Sequence, residues 1–363
     1  MSKVRVGMCG TGFIGHIHAH ALKRCPDAEI VAVWDLTWAR VKKFAEEFEI
    51  PGVYTGYEKM LTGADPDIVT IGIPNDLHLD FTVKAANAKK HVFVEKPLAV
   101  TLEDADKMIA ACRRNKVTLF YGENLCFAPK YARLKGLIDE GALGKVFYIR
   151  HRESHSGPHA DWFWNVNRSG GGAFMDMGCH GIAFARWLLS KPGAKPRVKR
   201  IFCSLGRYVH LKKTKGEDDS VAMVEFEGGA RAVLENSWAL QGGLDDRAEV
   251  MGSQGVAFAD LIGGTAIRTY SVPGYGYAME KAPDTRGWTN AIYREEEMYG
   301  FPDEMAHVIE CVLKNKKPVQ TAEDGRHVLE ALYAGYQSAR TGRWVSLPFR
   351  PPRGKKPYQL WQG

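Results

Sequence analysis

A glycine-rich turn near the start of the chain constrains the fold more than any other feature. The residues before it, from Val4 to Cys9, alternate in character and predict a strand. Gly10, Gly12 and Gly15 follow with the spacing G-x-G-x-x-G, and an apolar helical pattern begins at once. In this arrangement the first glycine makes the turn, the second lets backbone approach a pyrophosphate, and the third lets helix pack close to strand. The N–H groups at the helix N-terminus then face the phosphates.

A second strand makes the glycine turn a specific signal for a dinucleotide. Residues 29–35 read as a buried strand that ends in Asp35, twenty residues after Gly15. A carboxylate there accepts hydrogen bonds from both adenosine ribose hydroxyls and repels a 2′-phosphate, which favours NAD over NADP, although Arg40 offers a cation for a phosphate. The predicted cofactor contacts in this region are Gly10, Thr11, Gly12, Phe13, Ile14, Asp35 and Arg40.

Composition excludes several other classes of protein. The chain has 363 residues, of which 45% are hydrophobic and 25% charged, and this predicts two globular domains. Without a long apolar run or an apolar N-terminal signal, we expect a cytoplasmic protein with no membrane partner. The seven scattered cysteines form no C-x-x-C pair, so neither a disulfide framework nor a zinc ribbon is expected. The net charge of +7 comes without a nucleic-acid-reading motif, and no nucleic-acid partner is expected.

Alternating strand and helix patterns fill the first third of the chain. Strands are predicted over residues 67–74, 91–95 and 117–121, with helices between them. Thr101 begins one helix in a capping box with Asp104. Strand–helix repetition of this kind predicts a parallel sheet that is covered on both faces.

The pattern then changes to consecutive strands separated by glycine-rich turns. These strands are predicted over residues 145–152, 197–208, 220–226, 230–237 and 249–252. Helices are predicted over residues 173–189, 302–313 and 322–338. Consecutive strands without crossover helices predict an open, mostly antiparallel sheet. The predicted organisation is a Rossmann dinucleotide-binding domain over residues 1–123 and an α+β domain over residues 124–363, which carries the substrate and subunit contacts.

Six motifs in order make the chain resemble the Gfo/Idh/MocA oxidoreductase family. They are Gly10–Gly15 with His18, Ile73–His78, Val94–Pro97, Leu137–Gly144, Gly170–His180 and Ala322–Gly325. The resemblance implies a Rossmann domain followed by an open-sheet α+β domain, homodimers or homotetramers built through that sheet, and NAD(P)-dependent oxidation or reduction of sugars, polyols or close derivatives. Two stretches, Glu123–Phe127 and Glu153–Trp164, depart from the family pattern, and they leave the substrate open.

Three residues are predicted to carry out the chemistry. Taking a hydride from a carbinol carbon requires a base for the hydroxyl proton and a group that stabilises the developing alkoxide. Lys96 follows the C-terminal end of a strand, where ligands bind in open α/β sheets, and Glu95 and Pro97 (with a cis bond) would position it. Asp176 and His180 are four residues apart, so on one helix they share a face, with His180 as the proton acceptor.

Further polar and aromatic residues complete the predicted site. Pro74, Asn75 and His78, with Glu95 and Lys96, are predicted to contact the nicotinamide side of the cofactor. The three glycines at 170–172 predict close approach of backbone to the sugar or nicotinamide. The predicted substrate contacts are Lys96, Glu123, Glu153, His155, His159, Trp162, Trp164, Asp176 and His180. For the two tryptophans, stacking on a sugar ring and core packing are equal alternatives. No metal is predicted, because the histidines at 16–20 and 155–159 lack a fixed ligand geometry.

The residues therefore predict an NAD-dependent dehydrogenase that acts on a CH–OH group of a sugar, polyol or glycoside. One alternative is a glycoside-cleaving enzyme that oxidises transiently and returns the hydride to the same NAD, with Glu123, Glu153 or His155 as an extra base. The other alternative is a non-catalytic sensor of NAD and sugar, which the presence of both Lys96 and His180 disfavours. The sugar, the carbon oxidised, the direction and the number of subunits are left open.

Overall fold

The chain folds into two compact units. The computed structural model describes residues 3–191, 194–263, 266–282, 284–292 and 294–362. One unit comprises the chain up to Asn124 together with residues 300–326, and the other comprises residues 125–299 and 327–363. The first division falls next to the predicted boundary at residue 123. Residues 300–326, which we expected in the second domain, group with the first unit.

The first unit is built on a six-stranded parallel sheet. Its elements are β1 (Val4–Cys9), α1 (Phe13–Arg24), β2 (Ala28–Trp34), α2 (Trp38–Glu47), β3 (Gly52–Tyr54), α3 (Tyr57–Gly63), β4 (Ile68–Ile71), α4 (His78–Asn87), β5 (His91–Val94), α5 (Leu102–Asn115), β6 (Leu119–Tyr121) and α11 (Phe301–Lys314). The strand order is β3-β2-β1-β4-β5-β6. This is the Rossmann order, with the sequence-predicted parallel arrangement confirmed.

The strands of the first unit are apolar because helices cover both faces of the sheet. All four residues of β4, for example, are buried. Residues Met305, Val308 and Ile309 of α11 join the core that β1 and α1 form, which explains why this late segment groups with the first unit. The predicted cap of α5 is confirmed, since the Thr101 hydroxyl accepts the Asp104 N–H at 3.1 Å. The three-residue β3 is too short to show a sequence pattern.

The second unit is built on a seven-stranded mixed sheet and a separate hairpin. Its elements are α6 (Pro129–Asp139), β7 (Val146–Ser154), α7 (Val166–Ser169), α8 (Ala173–Asp176), α9 (Gly178–Leu188), β8 (Val198–Gly206), β9 (Asp219–Phe226), β10 (Arg231–Ser237), β11 (Asp245–Gly252), β12 (Gly255–Asp260), β13 (Ala266–Ser271), β14 (Gly287–Ile292), α10 (Glu295–Met298), α12 (Ala322–Thr341), β15 (Val345–Ser346) and α13 (Pro357–Gln362). The division between the units falls within α12.

Most strand pairs of this sheet are antiparallel, as expected. The order is β12-β11-β7-β10-β9-β8-β15, and β7–β10 is its one parallel pair among the described residues. Alternate residues such as Ile149, Val224 and Leu234 are buried on the face that α9 covers. The residues between them include exposed apolar side chains. These are Val221, Met223, Met251, Val256 and Phe258.

The predicted helix over residues 173–189 is found as two helices that are separated by one residue, Met177. The break separates α8 from α9, and it therefore lies between Asp176 and His180. At the break, the Phe174 ring lies over Gly178, where a Cβ would come within 2.5 Å of Phe174 Cδ2. Glycine favours such a break because it is a weak helix former.

Within the part of the chain that the structure describes, no helix has both the length and the apolar character needed to cross a bilayer.

Candidate active site

The glycine turn after β1 leaves space where a dinucleotide pyrophosphate would lie. A Cβ built on Gly12 would meet no atom within 4 Å. At Gly15, by contrast, a Cβ would lie 2.5 Å from the Gly10 carbonyl oxygen, so glycine is needed there for α1 to approach the turn. Phe13 and Ile14 open α1 directly after this space. The geometry fits the predicted roles of the second and third glycines.

Asp35 is held in place by the glycine turn itself. Its Oδ2 atom accepts hydrogen bonds from both the N–H and the hydroxyl of Thr11, each at 2.9 Å, and its Oδ1 atom accepts the Thr37 N–H at 3.1 Å. A carboxylate at this end of β2 can bind the adenosine ribose hydroxyls. Arg40, the alternative phosphate contact, is exposed on the first turn of α2.

The turn that carries Lys96 is fixed by two histidines. The predicted cis bond between Lys96 and Pro97 is present. The Glu95 carboxylate accepts the Lys96 N–H at 3.1 Å and lies 2.9 Å from His18 Nε2. The buried His78 ring lies 3.2 Å from the Pro97 carbonyl oxygen and 3.0 Å from that of Ile73. Burial lowers the pKa of His78.

His78 therefore ties two loops that the sequence assigns to the cofactor site. One loop carries Pro74 and the buried Asn75, and the other carries Lys96. The side chain of His78 is 0% exposed, so any contribution to cofactor binding passes through these loops. His18 was not predicted as a partner of Glu95, because the two are 77 residues apart and share no motif.

A buried carboxyl group lies behind the Lys96 turn. Glu304 of α11 accepts the Glu123 N–H at 2.7 Å, and both side chains are buried. Burial, followed by the neighbouring charges of Glu95 and Glu123, raises the pKa of Glu304 well above its usual range. The predicted substrate contact Glu123 thus belongs to a group of three carboxyl side chains in the first unit.

In the second unit, Asp176 is bound by a tryptophan that sequence reasoning missed. The Trp238 indole N–H donates to Asp176 Oδ2 at 3.1 Å, and both side chains are buried. His180 lies one turn further on, within α9, and is also buried. A buried carboxylate with a fixed donor keeps one orientation, which suits a group that positions an imidazole.

The two predicted stacking tryptophans lie in different surroundings. Trp164 packs edge-on against Trp238, with ring centroids 5.4 Å apart, and the Lys213 ammonium lies 5.0 Å from its ring centre. Trp164 is half-buried and packs partly against a buried cluster of Ala173, Met177 and Trp238. Trp162 stacks on Phe163 at 3.8 Å and is half-buried.

The glycines at 170–172 are closed by the protein's own atoms. A Cβ on Gly171 would lie 1.9 Å from the Tyr336 hydroxyl oxygen, and one on Gly172 would lie 1.8 Å from the Glu217 carbonyl oxygen. The close approach at these two glycines is thus to Tyr336 and Glu217, in place of the sugar or nicotinamide that we expected.

The polar loop after β7 is bound to a segment near β14. His155 Nδ1 accepts the Gly157 N–H at 3.0 Å, and His159 Nε2 lies 2.6 Å from Glu280 Oε1. Lys281 donates to the Gly157 carbonyl at 3.0 Å. Burial opposes ionisation of Glu280, but the contacts with His159 and Lys281 outweigh it and lower its pKa. Glu153, at the end of β7, directly precedes this loop.

The structure thus groups the predicted site residues within each unit. The first unit brings Glu95, Glu123 and the Lys96 turn together, and the second brings Asp176 close to Trp238. The residues that the sequence did not identify are Trp238, Glu217, Glu280, Glu304 and Tyr336. Each contacts its partner across a long sequence separation, and no local pattern marks any of them.

Fold and turn together define a Rossmann-type dinucleotide-binding protein with a second, mixed-sheet unit. Two family models match the chain in order: "Oxidoreductase family, NAD-binding Rossmann fold" over residues 4–123, and "GFO/IDH/MocA C-terminal domain" over residues 131–258. The chain therefore belongs to the Gfo/Idh/MocA oxidoreductase family, which confirms the resemblance seen in the sequence.

Individual relatives cover nearly the whole chain. The myo-inositol 2-dehydrogenase of Thermotoga maritima is 30% identical, over 95% of this chain and 98% of its own length. The D-glucoside 3-dehydrogenase of Escherichia coli is 28% identical, also over 95% and 98%. Among solved structures, GenD2 from gentamicin A biosynthesis, in complex with NAD, is 30% identical and has a TM-score of 0.89 over 96% of this chain and 97% of that one.

Proposed function

We propose that the chain is an NAD-dependent dehydrogenase that moves a hydride between a CH–OH carbon of a sugar, polyol or glycoside and the nicotinamide. Relatives named as dehydrogenases of inositol and of a D-glucoside support this substrate class. The observation that carries the proposal is the fixed position of Asp176. Its carboxylate is buried and hydrogen-bonded to Trp238, and it lies one helical turn before a buried histidine.

In the proposed reaction, His180 accepts the hydroxyl proton and Asp176 holds its imidazole in position. The Lys96 ammonium orients the hydroxyl oxygen and stabilises its developing negative charge. Bound NAD supplies the hydride acceptor. Asp35 and the Gly12 turn hold the adenosine ribose and the pyrophosphate of that cofactor, and Asn75 and Pro74 line the nicotinamide side.

The proposal is tested by incubating the protein and NAD with a panel of polyols, aldoses and glycosides. Steady growth of NADH absorbance is the expected result. Release of an aglycone without accumulation of NADH would instead support the transient-oxidation enzyme, with Glu123, Glu153 or His155 as its extra base. Sugar binding with neither outcome would support the sensor.

We further propose that the protein assembles into homodimers or homotetramers through the open face of the mixed sheet. Exposed apolar side chains on three strands of this face, such as Val221, Met251 and Phe258, support an interface there. Light scattering at micromolar concentration should show a dimer or larger species. A monomer at that concentration would refute the proposal.

A further inference from the structure

A buried glutamate of the second unit that accepts several hydrogen bonds lies outside the proposed chemistry. Glu217 is 0% exposed and precedes β9. Its Oε1 atom accepts three hydrogen bonds, from the Gly172 N–H at 2.9 Å, the Phe174 N–H at 3.0 Å and the Tyr336 hydroxyl at 2.6 Å. Its backbone carbonyl accepts a fourth, from the Ala173 N–H at 3.0 Å. One residue thus binds three consecutive N–H groups at the start of α8.

These contacts fix the segment on which the proposed catalytic pair is carried. Asp176 is the last residue of α8, two residues beyond the last N–H that Glu217 binds, and α9 with His180 follows directly. Burying an acidic side chain is costly unless it is fully hydrogen-bonded, so its presence here requires a compensating role. We propose that Glu217 is a positioning residue, and that its ionised form holds the turn that carries Asp176 and His180.

The ionised form is the better anchor because of how its hydrogen bonds are distributed. All three donors to the Glu217 side chain bind its Oε1 atom. A carboxylate oxygen accepts such hydrogen bonds more strongly than a neutral carboxyl group does. Oε2 has no hydrogen-bond partner among the described residues. A proton on Oε1 would displace a donor, and a proton on Oε2 would find no acceptor, so protonation weakens the anchor in either case.

The charge state of Glu217 changes within the range where enzymes are assayed. Burial raises the pKa of Glu217 from 4.5 to about 7, and the hydrogen bonds from Tyr336, Phe174 and Gly172 oppose this rise. The titratable groups that face it are the Tyr336 hydroxyl and the Cys203 thiol, and burial raises the pKa of each well above its usual value. Both neighbours therefore stay neutral while Glu217 titrates.

Stability and activity should then change in opposite directions with pH. Between pH 4.5 and about 7 the folded chain holds a proton on Glu217 that the unfolded chain releases, so raising the pH through this window lowers the free energy of unfolding. The same deprotonation tightens the anchor and should raise kcat. A glutamate with a purely structural role would not make the free energy of unfolding and kcat change in opposite directions with pH.

The inference rests on the proposed function for the roles of Asp176 and His180, and variants of the full chain test it. Glu217→Gln keeps an acceptor oxygen but cannot titrate, and Tyr336→Phe removes one donor and so raises the pKa of Glu217. In a plot of kcat against pH, the wild type should lose activity on the acidic side as Glu217 is protonated. We expect this contribution to the loss to be absent in Glu217→Gln and to occur at higher pH in Tyr336→Phe. Glu330→Gln is the matched control, because Glu330 is a buried glutamate of the same unit and accepts the Phe349 N–H at 2.8 Å.

Two readouts separate this inference from the proposed function. The Tm of the wild type should fall from pH 5 to pH 7.5 more steeply than that of Glu217→Gln, a measurement that needs no substrate. Amide exchange of a peptide covering residues 170–180 should be faster in Glu217→Ala, or in Glu217→Gln if the alanine variant does not fold. Wild-type pH profiles of kcat and Tm in both Glu217→Gln and Tyr336→Phe would overturn the inference. If no panel sugar gives NADH, the proposed function fails, and the Tm and exchange results still decide whether Glu217 anchors the turn.

Discussion

Two glycine-rich turns, one in each unit, look alike in sequence and differ in what fills them. The turn at Gly10–Gly15 leaves open space above Gly12, whereas the turn at Gly170–Gly172 is closed by Glu217 and Tyr336. Both turns lead directly into a helix that carries site residues. The first therefore has the geometry of a ligand-binding turn, and the second has that of a turn packed against the protein's own side chains.

The difference shows that a run of glycines indicates only a close approach to the backbone. It does not indicate whether a ligand or another part of the protein makes that approach. In the first turn the open space above Gly12 fits the pyrophosphate of a dinucleotide, which the following helix N-terminus favours. In the second turn the approaching groups are Glu217 and Tyr336. They lie 45 and 164 residues after Gly172 in the sequence. The predictions below test these two turns and the proposed catalytic side chains.

The largest expected effects come from the proposed catalytic side chains. His180→Ala should lower kcat by roughly 10²–10⁴-fold, because a general base contributes an effect of this size. Lys96→Ala should lower kcat by the same order, since it removes the charge that stabilises the alkoxide. Steady-state NADH formation measures both, and calorimetric NAD titration is the control for His180→Ala, whose NAD affinity should be unchanged. Near wild-type turnover in both variants would show that the catalytic assignment is wrong.

Adding a methyl group at each turn should separate stability from cofactor binding. Gly172→Ala places a Cβ 1.8 Å from the Glu217 carbonyl oxygen, and overpacking against backbone should cost about 3 kcal/mol of stability. Gly12→Ala meets no atom within 4 Å, so its Tm should match the wild type, while its NAD dissociation constant rises about tenfold. Thermal unfolding and NAD titration of both variants check this. If Gly172→Ala and Gly12→Ala lower Tm equally, the distinction between a closed and an open turn is wrong.

Trp238→Phe should weaken catalysis while keeping most of the packing. The variant removes the N–H that binds Asp176, and a hydrogen bond to a charged group is worth about 1.5–3 kcal/mol, so we expect kcat to fall about 10–100-fold. Trp187→Phe, a change of another buried tryptophan, is the control for lost ring volume. If the two variants lower kcat equally, the hydrogen bond to Asp176 has no role in positioning.

Asp35→Ser tests the ribose end of the open turn and should have the smallest effect. We expect the wild type to prefer NAD to NADP by more than tenfold in kcat/KM, which is about 1.4 kcal/mol or more. The variant should narrow this preference and leave the KM for the sugar little changed. Its preference is measured with both cofactors on the same substrate. Equal use of NAD and NADP by the wild type would remove Asp35 from its assigned role.

Local sequence patterns were sufficient to predict most strands of the parallel sheet in the first unit and much of the sheet in the second. The period of the strands, the glycine spacing and the Thr101 cap each act over a few residues, and each is found where expected. Helix was found over nearly all of residues 173–189, but the interruption at Met177 was not predicted, because an apolar periodicity does not reveal it. The placement of α11 with the first unit likewise depends on contacts with β1 and α1, far away in sequence.

The candidate site was predictable where its residues follow strand ends or share a motif. Lys96, Asp176 and His180 were singled out in this way. Two of their supporting residues were not, because Trp238 and Glu217 act through hydrogen bonds to residues that are distant in sequence. Trp238 bonds to Asp176 across 62 residues, and Glu217 bonds to Phe174 and Gly172 across 43 and 45 residues. A buried glutamate in a polar loop has no sequence signature that separates it from an exposed one.

The central claim, that a hydride moves from a carbinol carbon to the nicotinamide, is tested most directly with a labelled substrate. The panel compound with the fastest turnover would be prepared with deuterium on its carbinol carbons, and the reduced cofactor analysed by mass spectrometry. The account predicts NADH that carries one deuterium, accumulating in step with the oxidised sugar. Product that forms while the cofactor stays unlabelled, or that regains the deuterium at the same carbon, would contradict it.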